Sequence, residues 1–569
     1  MKSSPPGRIE RSRVAYTLPI LFLIFVPPVG NVQTAPAPEL CQLVESGKLT
    51  DLRWPDFSNL RTHVKSFYEP ASYAPGWTIH GVPTDPARSL IRVFQAADTK
   101  GLDPEDYDGS RWADRLAALN SSSAPNESAL SRFDLALTVS VMRYVSDLHV
   151  GKANPGLYHT GFDLNGNLAD FVRERLVSSS NVEAALQGIE PPFPGYGRTE
   201  RALQQYLAML REDRSVALPV PKKTLDPRSS YGALASLADR LRQLGDLPCG
   251  ALPSGSNVYT EPLVGAVKRF QTRHGLAPDG RIGAATFAEL NAPLSRRVRQ
   301  LQLTLERWRW APHRFSRPPI VVNIPEFQVR AFNDTYRTGL EMKVVVGKSY
   351  GHQTPVFAAE MKTVIFRPYW EVPRSILTAE LLPKAAQDRS YFVKHGFEAV
   401  TMQGAVASAG VVDDDTLARL RSGELRVRQV PGPENSLGLV KFVFPNPYDV
   451  YLHATPATEL FARSRRDFSH GCIRVEKPEE LAAWVLRGKP EWTPEHIHEV
   501  MHGDKTVEVT LDQPIPVLIV YATAIVLESG EVRFFDDIYK EDVQLERLLA
   551  QGYPPRPKSS PAKNSPAEK

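Results

Sequence analysis

The sequence predicts a multidomain α+β protein, mostly helical in its N-terminal part and β-rich in its C-terminal part. Its 569 residues exceed what a single hydrophobic core normally serves. Apolar residues recur at helical spacing up to about residue 290, and short alternating segments rich in β-branched residues follow from about residue 300. These patterns predict a helical scaffold over 42–220, a small helical module over 228–292 and a β-rich domain over 300–545.

The first 37 residues have the order of a secretory leader. Basic residues precede an apolar run over 14–26, which is shorter than the ~20 residues that span a bilayer. Small residues follow, so we expect a signal peptide over 1–37, cleaved near Ala35 or Ala37. This is favoured over an uncleaved anchor. The remaining chain is expected in the periplasm, associated with the cell wall, and membrane attachment is expected only if the leader is retained.

Composition narrows the function classes. The net charge of +4 is mild and does not favour nucleic-acid binding, which needs a concentrated basic face. The segment 554–569 is rich in Pro, Ser and Lys, which predicts a disordered tail. Of the three cysteines, Cys41 and Cys249 are candidates for a disulfide, which leaves Cys472 free. A free thiol in an oxidising compartment is a liability unless it does chemistry.

Two amphipathic helices characterise the scaffold. The segment 86–100 places Leu90, Ile91 and Phe94 on one face, and Gly101 suits its C-terminal end. A second helix is expected over 133–148. No catalytic constellation stands out in this region.

The module over 228–292 contains a second pattern. Thr260 is expected to cap a helix that carries Leu263, Val267 and Phe270 on one face. The run AVKRFQTRHGLAPDGRIGAATFAELN over 266–291 resembles the small three-helix peptidoglycan-binding module. That resemblance implies targeting to the cell wall rather than catalysis.

Short strands dominate the last region, and a stretch with helical character over 371–430 interrupts them. We interpret that stretch as an insertion that covers a cleft, a lid. Composition and alternation predict strands at 320–324, 327–332, 341–346, 439–444, 507–511, 517–521 and 532–535.

The chemistry concentrates in Tyr451-Leu-His-Ala-Thr-Pro456 and Phe468-Ser-His-Gly-Cys-Ile-Arg-Val475. A cysteine becomes a nucleophile when a base or a positive charge favours its thiolate. Cys472 is the candidate nucleophile, and His453, at the end of a predicted strand, is the candidate base. Gly471 permits close approach of a substrate to the backbone, and Arg474 adds a fixed charge.

These two segments resemble the signature of the YkuD-type L,D-transpeptidase catalytic domain. The resemblance implies a β-rich fold, Cys472 as nucleophile, His453 as base and the carbonyl of Ala454 as the group that orients the histidine. It implies an oxyanion hole formed by the N–H groups of Gly471 and Cys472, beside the matching Arg474. Further residues expected at the substrate are Tyr451, Ser469, His470 and Trp370.

Other segments resemble the larger, multidomain branch of that family, among them Thr354-Pro355, Asn435, Lys441-Phe442 and Asp536-Asp-Ile-Tyr539. One departure is Arg367-Pro-Tyr-Trp-Glu371, where the family more often has Asn-Pro-x-Trp-Asn. The resemblance implies acyl transfer from a donor stem peptide to Cys472, and then to the amine of an acceptor stem, with no cofactor. Acylation of Cys472 by carbapenems is a further implication.

Several alternatives remain open. Water as acceptor makes the protein an L,D-carboxypeptidase, a lipoprotein lysine makes it an anchoring enzyme, and a different class is a non-catalytic wall-binding scaffold. His470 is a second candidate base, less favoured than His453. A zinc site of Cys472, His470 and His453 lacks a fourth ligand, so no metal is expected. The remaining singled-out histidines are expected to be surface or structural residues: His352, His395, His496, His498 and His502.

Overall fold

The structure is a computed structural model that describes residues 38–120, 126–156, 168–248 and 257–553. The leader 1–37, Cys249 and the tail 554–569 lie outside these ranges, so the expectations on them stay predictions. Within the described ranges, no helix combines the length and the apolar character needed to cross a bilayer. The expected multidomain α+β class is confirmed, with separate cores in the helical and β-rich regions.

The N-terminal region packs around one long, buried helix. Its elements are α1 (Pro38–Ser46), α2 (Arg61–Tyr68), α3 (Asp85–Gln95), α4 (Trp112–Asn120), α5 (Glu127–Val150), α6 (Leu168–Phe171), α7 (Val182–Gln187) and α8 (Pro194–Glu212), with strands β1 (Thr78–Ile79) and β2 (Val82–Pro83). The Thr84 side chain accepts from the Ala87 N–H and caps α3. A 3₁₀ turn after α3 ends at Gly101, whose φ of 75° suits glycine.

The module contains α9 (Leu234–Gln243), α10 (Leu263–Arg273) and α11 (Ala284–Leu290). Leu263, Val267 and Phe270 are buried, as their spacing predicts. The capping role expected of Thr260 is wrong, because α10 begins after Pro262 with no side-chain cap. The Gln271 side chain stabilises the following turn by accepting from the Gly280 N–H at 2.8 Å.

Helix α12 (Leu294–Trp310) joins the helical regions to the β-rich domain. Arg309 is fully buried on it and donates to the Lys100 carbonyl and, at 3.1 Å, to the Tyr196 hydroxyl. One turn earlier, the Glu306 carboxylate accepts from the Ala153 N–H at 2.7 Å. Both contacts cross from α12 to the N-terminal region.

The C-terminal domain contains the strands β3 (Ile320–Asn323), β4 (Gln328–Phe332), β5 (Thr338–Gly347), β6 (Phe357–Phe366), β7 (Trp370–Glu371), β8 (Phe397–Val400), β9 (Val406–Ser408), β10 (Arg426–Gln429), β11 (Val440–Val443), β12 (Leu452–His453), β13 (Asp467–Ser469), β14 (Ile473–Val475), β15 (Val507–Val520), β16 (Ala524–Val526) and β17 (Val532–Phe534). Nine of them form the sheet that is the body of the domain, in the order β13-β5-β14-β12-β11-β6-β15-β3-β4. Because β4 also pairs with β5, the sheet closes on itself.

The insertion over 371–430 is not purely helical. It contains α13 (Arg374–Ile376), a π-helical turn (Leu377–Leu381), α14 (Leu382–Gln387), α15 (Tyr391–Lys394) and α16 (Asp414–Ser422). These helices lie with a four-stranded antiparallel sheet in the order β7-β10-β8-β9. Leu377, Leu417 and Val427 are buried in a core of the insertion's own, so it is a folded unit rather than an extended loop.

Three helices complete the domain: α17 (Pro478–Leu486), α18 (Pro494–His502) and α19 (Glu541–Leu549). Helix α17 follows β14 directly, and its Leu481 and Val485 join the core of the sheet. Ile497 and Met501 of α18 join the same core.

Candidate active site

Cys472 lies in the tight turn between β13 and β14. Gly471, just before it, has a φ of 119°, a conformation that strongly favours glycine. The Ser469 hydroxyl donates to the Cys472 carbonyl at 2.5 Å and accepts from the Gly471 N–H at 3.1 Å. One buried serine therefore holds both residues of the turn.

This arrangement bears on two expected site residues, whose roles at a substrate stay predictions. Ser469, expected at the substrate, is buried and bonded within the turn. The N–H of Gly471, expected in the oxyanion hole, already donates to Ser469. It therefore has to leave that oxygen before it can bind a developing anion.

A buried network, which the sequence analysis missed, supports the same turn from the other side. The Thr354 hydroxyl donates to the Gly471 carbonyl at 2.8 Å and accepts from the Gly347 N–H at 2.9 Å. The Tyr539 hydroxyl donates to the Gly347 carbonyl at 2.6 Å. Thr354 and Tyr539 both lie in segments that resemble the multidomain branch, but the sequence alone did not indicate that they support this turn.

The thiol of Cys472 faces Tyr451. Strands β12 and β14 run parallel with Leu452 opposite Ile473, which places Tyr451 opposite Cys472. Burial raises the pKa of the thiol, while hydrogen bonds from the Tyr451 backbone N–H and hydroxyl to the sulfur oppose that rise. The thiol itself donates to the Asp449 carbonyl at 3.6 Å. Tyr451 thus supplies two donors that favour the thiolate.

Lys441 is a second group that the sequence analysis did not assign. It lies on β11 opposite His453, and its Nζ is 3.8 Å from the centroid of the Tyr451 ring. Burial lowers the pKa of this ammonium, and the Cys472 thiolate opposes that effect, while the ammonium in turn lowers the pKa of the thiol. A lysine between buried Val440 and Phe442 on a central strand is the signal that points to it.

His453 is buried on β12, two residues beyond Tyr451 and therefore on the same face of the strand. The two rings lie 5.6 Å apart, edge to face. His453 Nδ1 lies 2.5 Å from the Ala454 carbonyl. A carbonyl only accepts, so we assign the proton to Nδ1, which leaves the lone pair on Nε2. Burial, followed by the charge of Arg474, lowers the pKa of the imidazole to about 3.

Arg474 lies directly opposite His453 in the parallel pairing. Its Nε is buried with no hydrogen-bond partner among the described residues. Burial, and after it the charge of Arg474, disfavours the protonated imidazole and keeps His453 neutral, the form in which a histidine accepts a proton.

Two further candidates link the site to the insertion. His470 Nε2 lies 2.6 Å from the Glu380 carboxylate of the π-helical turn. A hydrogen bond from Trp370, on β7, opposes the rise that burial causes in the pKa of Tyr451. Glu371, part of the departure from the family pattern, pairs with Arg426 at 2.7 Å, and its charge opposes the lowering that burial causes in the pKa of Lys441.

The remaining histidines lie apart from the thiol or beside the insertion. Among the described residues, Cys472, His470 and His453 do not come together as a set of metal ligands. The His352 ring contacts His470 at 4.8 Å, and His395 packs on Tyr391 at 4.4 Å.

Three parts of the chain match known families. Residues 317–501 match the "L,D-transpeptidase catalytic domain", residues 62–203 the "Scaffold domain" and residues 231–290 the "Putative peptidoglycan binding domain". A "Putative L,D-transpeptidase" of Haemophilus influenzae is 33% identical over 226 residues, which cover 40% of this chain and 45% of that protein. The chain therefore aligns with less than half of that relative's length. Residues 317–501 are therefore similar to the YkuD-type L,D-transpeptidase catalytic domain, and residues 231–290 are similar to a peptidoglycan-binding domain.

Proposed function

We propose that the protein is an exported L,D-transpeptidase that forms 3→3 cross-links between peptidoglycan stem peptides through a thioester on Cys472. The observation that carries the proposal is the thiol's surroundings. Its sulfur accepts from Tyr451 and lies within the field of Lys441, and a neutral His453 occupies the strand next to it. A thiol with donors, a cation and a neutral base beside it suits acyl transfer.

The first half-reaction acylates the enzyme. His453 Nε2 takes the thiol proton, and the sulfur attacks the carbonyl carbon of the third stem residue. The bond from that carbon to the nitrogen of the terminal D-alanine breaks, and His453 returns the proton to the leaving amine. The Ala454 carbonyl accepts from Nδ1–H throughout and stabilises the imidazolium formed between the two transfers.

The second half-reaction transfers the acyl group. The side-chain amine of a diamino acid on another stem attacks the thioester carbonyl and loses a proton to His453. The new amide forms as the carbon–sulfur bond breaks, and the sulfur recovers the proton. The product joins the third residues of two stems, and Cys472 is free again.

The oxyanion is assigned to the Cys472 N–H, with the Gly471 N–H joining it after release from Ser469. The insertion over 371–430, together with Trp370 just before it, serves as a lid, because Trp370 interacts with Tyr451 and Glu380 contacts His470. A closed lid excludes water and favours an amine as acceptor.

The other regions position this centre. The module over 228–292 holds the chain near peptidoglycan, and the helical region over 42–220 acts as scaffold. The segment 1–37 directs export, so the enzyme works in the periplasm on the wall itself. Stem peptides are its partners, and the proposed reaction needs no cofactor.

The test is mass spectrometry of the purified protein incubated with disaccharide-tetrapeptide, beside Cys472→Ala. We expect a cross-linked dimer with loss of D-alanine, and a thioester adduct on the parent protein, both missing in the variant. A Cys472-dependent tripeptide without dimer would establish an L,D-carboxypeptidase instead.

Two other outcomes contradict the proposal. Transfer only to a lipoprotein lysine, tested with a lysine-bearing peptide, would establish an anchoring enzyme. If no product forms and a cysteine-directed probe labels Cys472 no faster than a free thiol, the protein is a wall-binding scaffold.

A further inference from the structure

A second group of chemically active side chains lies outside the thiol centre, on helices α17 and α18. Glu479 lies in the first turn of α17, and His498 and His502 lie on α18. One ligand atom from each of the three lies within 4.8 Å of the other two. His498 Nδ1 is 3.1 Å from a Glu479 oxygen, and the rings of His498 and His502 are 4.4 Å apart.

The packing of the two helices creates this group. Ile497 and Met501 turn one face of α18 into the core, while Leu481 and Val485 do the same for α17. His498 and His502 are four residues apart, so they share a neighbouring, exposed face of α18. Glu479 comes from the other helix, 19 residues away from His498 in the chain, which is why sequence spacing does not reveal it.

The two imidazoles and the carboxylate are ligand types that bind Zn²⁺ in proteins. Zinc binds imidazole nitrogen and carboxylate oxygen at about 2.0–2.2 Å, so two ligand atoms on a tetrahedral ion are about 3.4 Å apart. The 3.1 Å separation of His498 and Glu479 is already close to that value, and exposed side chains adjust by rotation. Solvent is available for the remaining position, since both histidines are exposed.

We propose that Glu479, His498 and His502 form a Zn²⁺ site that ties α17 to α18. His502 is the last residue of α18, where the negative end of the helix dipole favours a cation. Helix α17 follows β14, the strand that begins after Cys472, so the ion stabilises the catalytic domain without contacting the thiol. The proposed metal site therefore does not depend on whether the protein catalyses the proposed transpeptidase reaction.

His496 provides a matched control on the same helix. Its ring packs on Trp492 at 5.0 Å, and its Nδ1 lies 3.6 Å from Glu499. It does not belong to the group of three. Removing its imidazole changes the histidine count of α18 while leaving the proposed ligands in place.

The first measurement is competition for Zn²⁺ between a chromogenic chelator and the full chain, purified without a histidine tag. A Cys472→Ala background removes the catalytic thiol as a competing ligand. We expect one equivalent to bind, and His502→Ala or Glu479→Gln to weaken binding by at least about 10-fold, since even outer partners of metal ligands are worth that much. His496→Ala is expected to bind like the parent. Equal affinity in the parent and the His502→Ala and Glu479→Gln variants would overturn the site.

Co²⁺ absorption and thermal unfolding give two further readouts. Bound Co²⁺ is expected to show the spectrum of nitrogen and oxygen ligands, and sulfur-to-metal charge transfer would assign the ion to a cysteine and refute the proposal. Zn²⁺ is expected to raise the midpoint for unfolding of the catalytic domain in the parent and His496→Ala, but not in His502→Ala. Unfolding of each variant without metal checks that the substitution itself leaves the fold intact.

Discussion

Glu380 and His470 join the insertion to the nucleophile's turn through a 2.6 Å contact between a carboxylate oxygen and Nε2. Burial lowers the pKa of His470, and the neighbouring Glu380 opposes that effect. Glu380 lies on the π-helical turn of the insertion, and His470 lies two residues before Cys472. This contact therefore holds the proposed lid against the turn that carries Cys472.

Glu380→Ala is expected to remove this contact and so to favour the open form of the lid. A partly exposed pair of this kind is worth about 1 kcal/mol, which corresponds to roughly a fivefold loss of the closed form. Water then competes better with the acceptor amine, so the ratio of tripeptide to cross-linked dimer is expected to rise by a similar factor. Glu424→Ala, which removes an exposed pair with Arg419 elsewhere in the insertion, serves as control. An unchanged product ratio in Glu380→Ala would show that this contact does not gate water.

Tyr451→Phe is expected to make the thiol less acidic. A hydrogen bond to a charged group is worth about 1.5–3 kcal/mol, so loss of the hydroxyl raises the pKa of Cys472 further above its usual value. The pH profile for alkylation of Cys472 by iodoacetamide measures this directly. Tyr350→Phe, at an exposed tyrosine, is expected to keep the parent profile. If the alkylation profile of Tyr451→Phe coincides with that of the parent protein, the hydroxyl is excluded as a donor to the thiolate.

Lys441→Met is expected to act in the same direction by removing a positive charge from beside the thiolate. Lys441→Arg keeps the charge and is expected to restore part of the alkylation rate at neutral pH. Lys362→Met, at an exposed site on β6, serves as the charge-matched control. If Lys441→Met and Lys362→Met alkylate alike, Lys441 has only a structural role.

Thr354→Val is expected to release the Gly471 carbonyl and the Gly347 N–H from their shared hydroxyl. Leaving buried polar groups unpaired costs about 1–3 kcal/mol each. We expect a lower urea midpoint for the catalytic domain and a slower acylation of Cys472. Thr506→Val removes an exposed hydroxyl that donates to the Arg367 carbonyl and is expected to alter neither quantity.

His453 makes the stability of the domain depend on pH. Its pKa is about 3 in the fold, below the ordinary value of 6.5, so the unfolded chain binds the proton first as the pH falls. The stabilisation is complete above about pH 6.5 and is lost progressively towards pH 3. His453→Gln is expected to flatten the fall in urea midpoint between pH 7 and pH 4, and His496→Gln is not. The same slope in both variants would place the titrating group elsewhere.

Sequence patterns predicted the parts of the fold that local periodicity specifies. The strands expected at 320–324, 327–332 and 532–535 appear with small changes of boundary, and amphipathic spacing located α3 and α10. Two expected strands at 507–511 and 517–521 are one strand, β15, because an irregularity near Thr510 interrupts its pattern without ending it. The four-stranded sheet of the insertion was missed, since its strands are two to four residues long.

The candidate site likewise has residues that a local motif predicts and contacts that no local motif predicts. Cys472, His453 and the Ala454 carbonyl follow from a motif in two short segments, and their catalytic roles stay predictions. Contacts between distant segments do not appear in any local pattern. Thr354 and Lys441 lie in segments that resemble the multidomain branch, but their contacts with the Gly471 carbonyl and the Tyr451 ring could not be predicted, because strand order decides both.

The buried guanidinium of Arg309 has a mechanical consequence. Movement of α12 away from the N-terminal region has to break its bonds to Lys100 and Tyr196 and expose a charged, packed side chain. Gln300 and Thr304 of the same helix donate to the Thr523 and Ala524 carbonyls of the β-rich domain, so α12 is hydrogen-bonded to both regions. Under the proposed function, these bonds on both sides of α12 keep Cys472 at a fixed distance from the described N-terminal region.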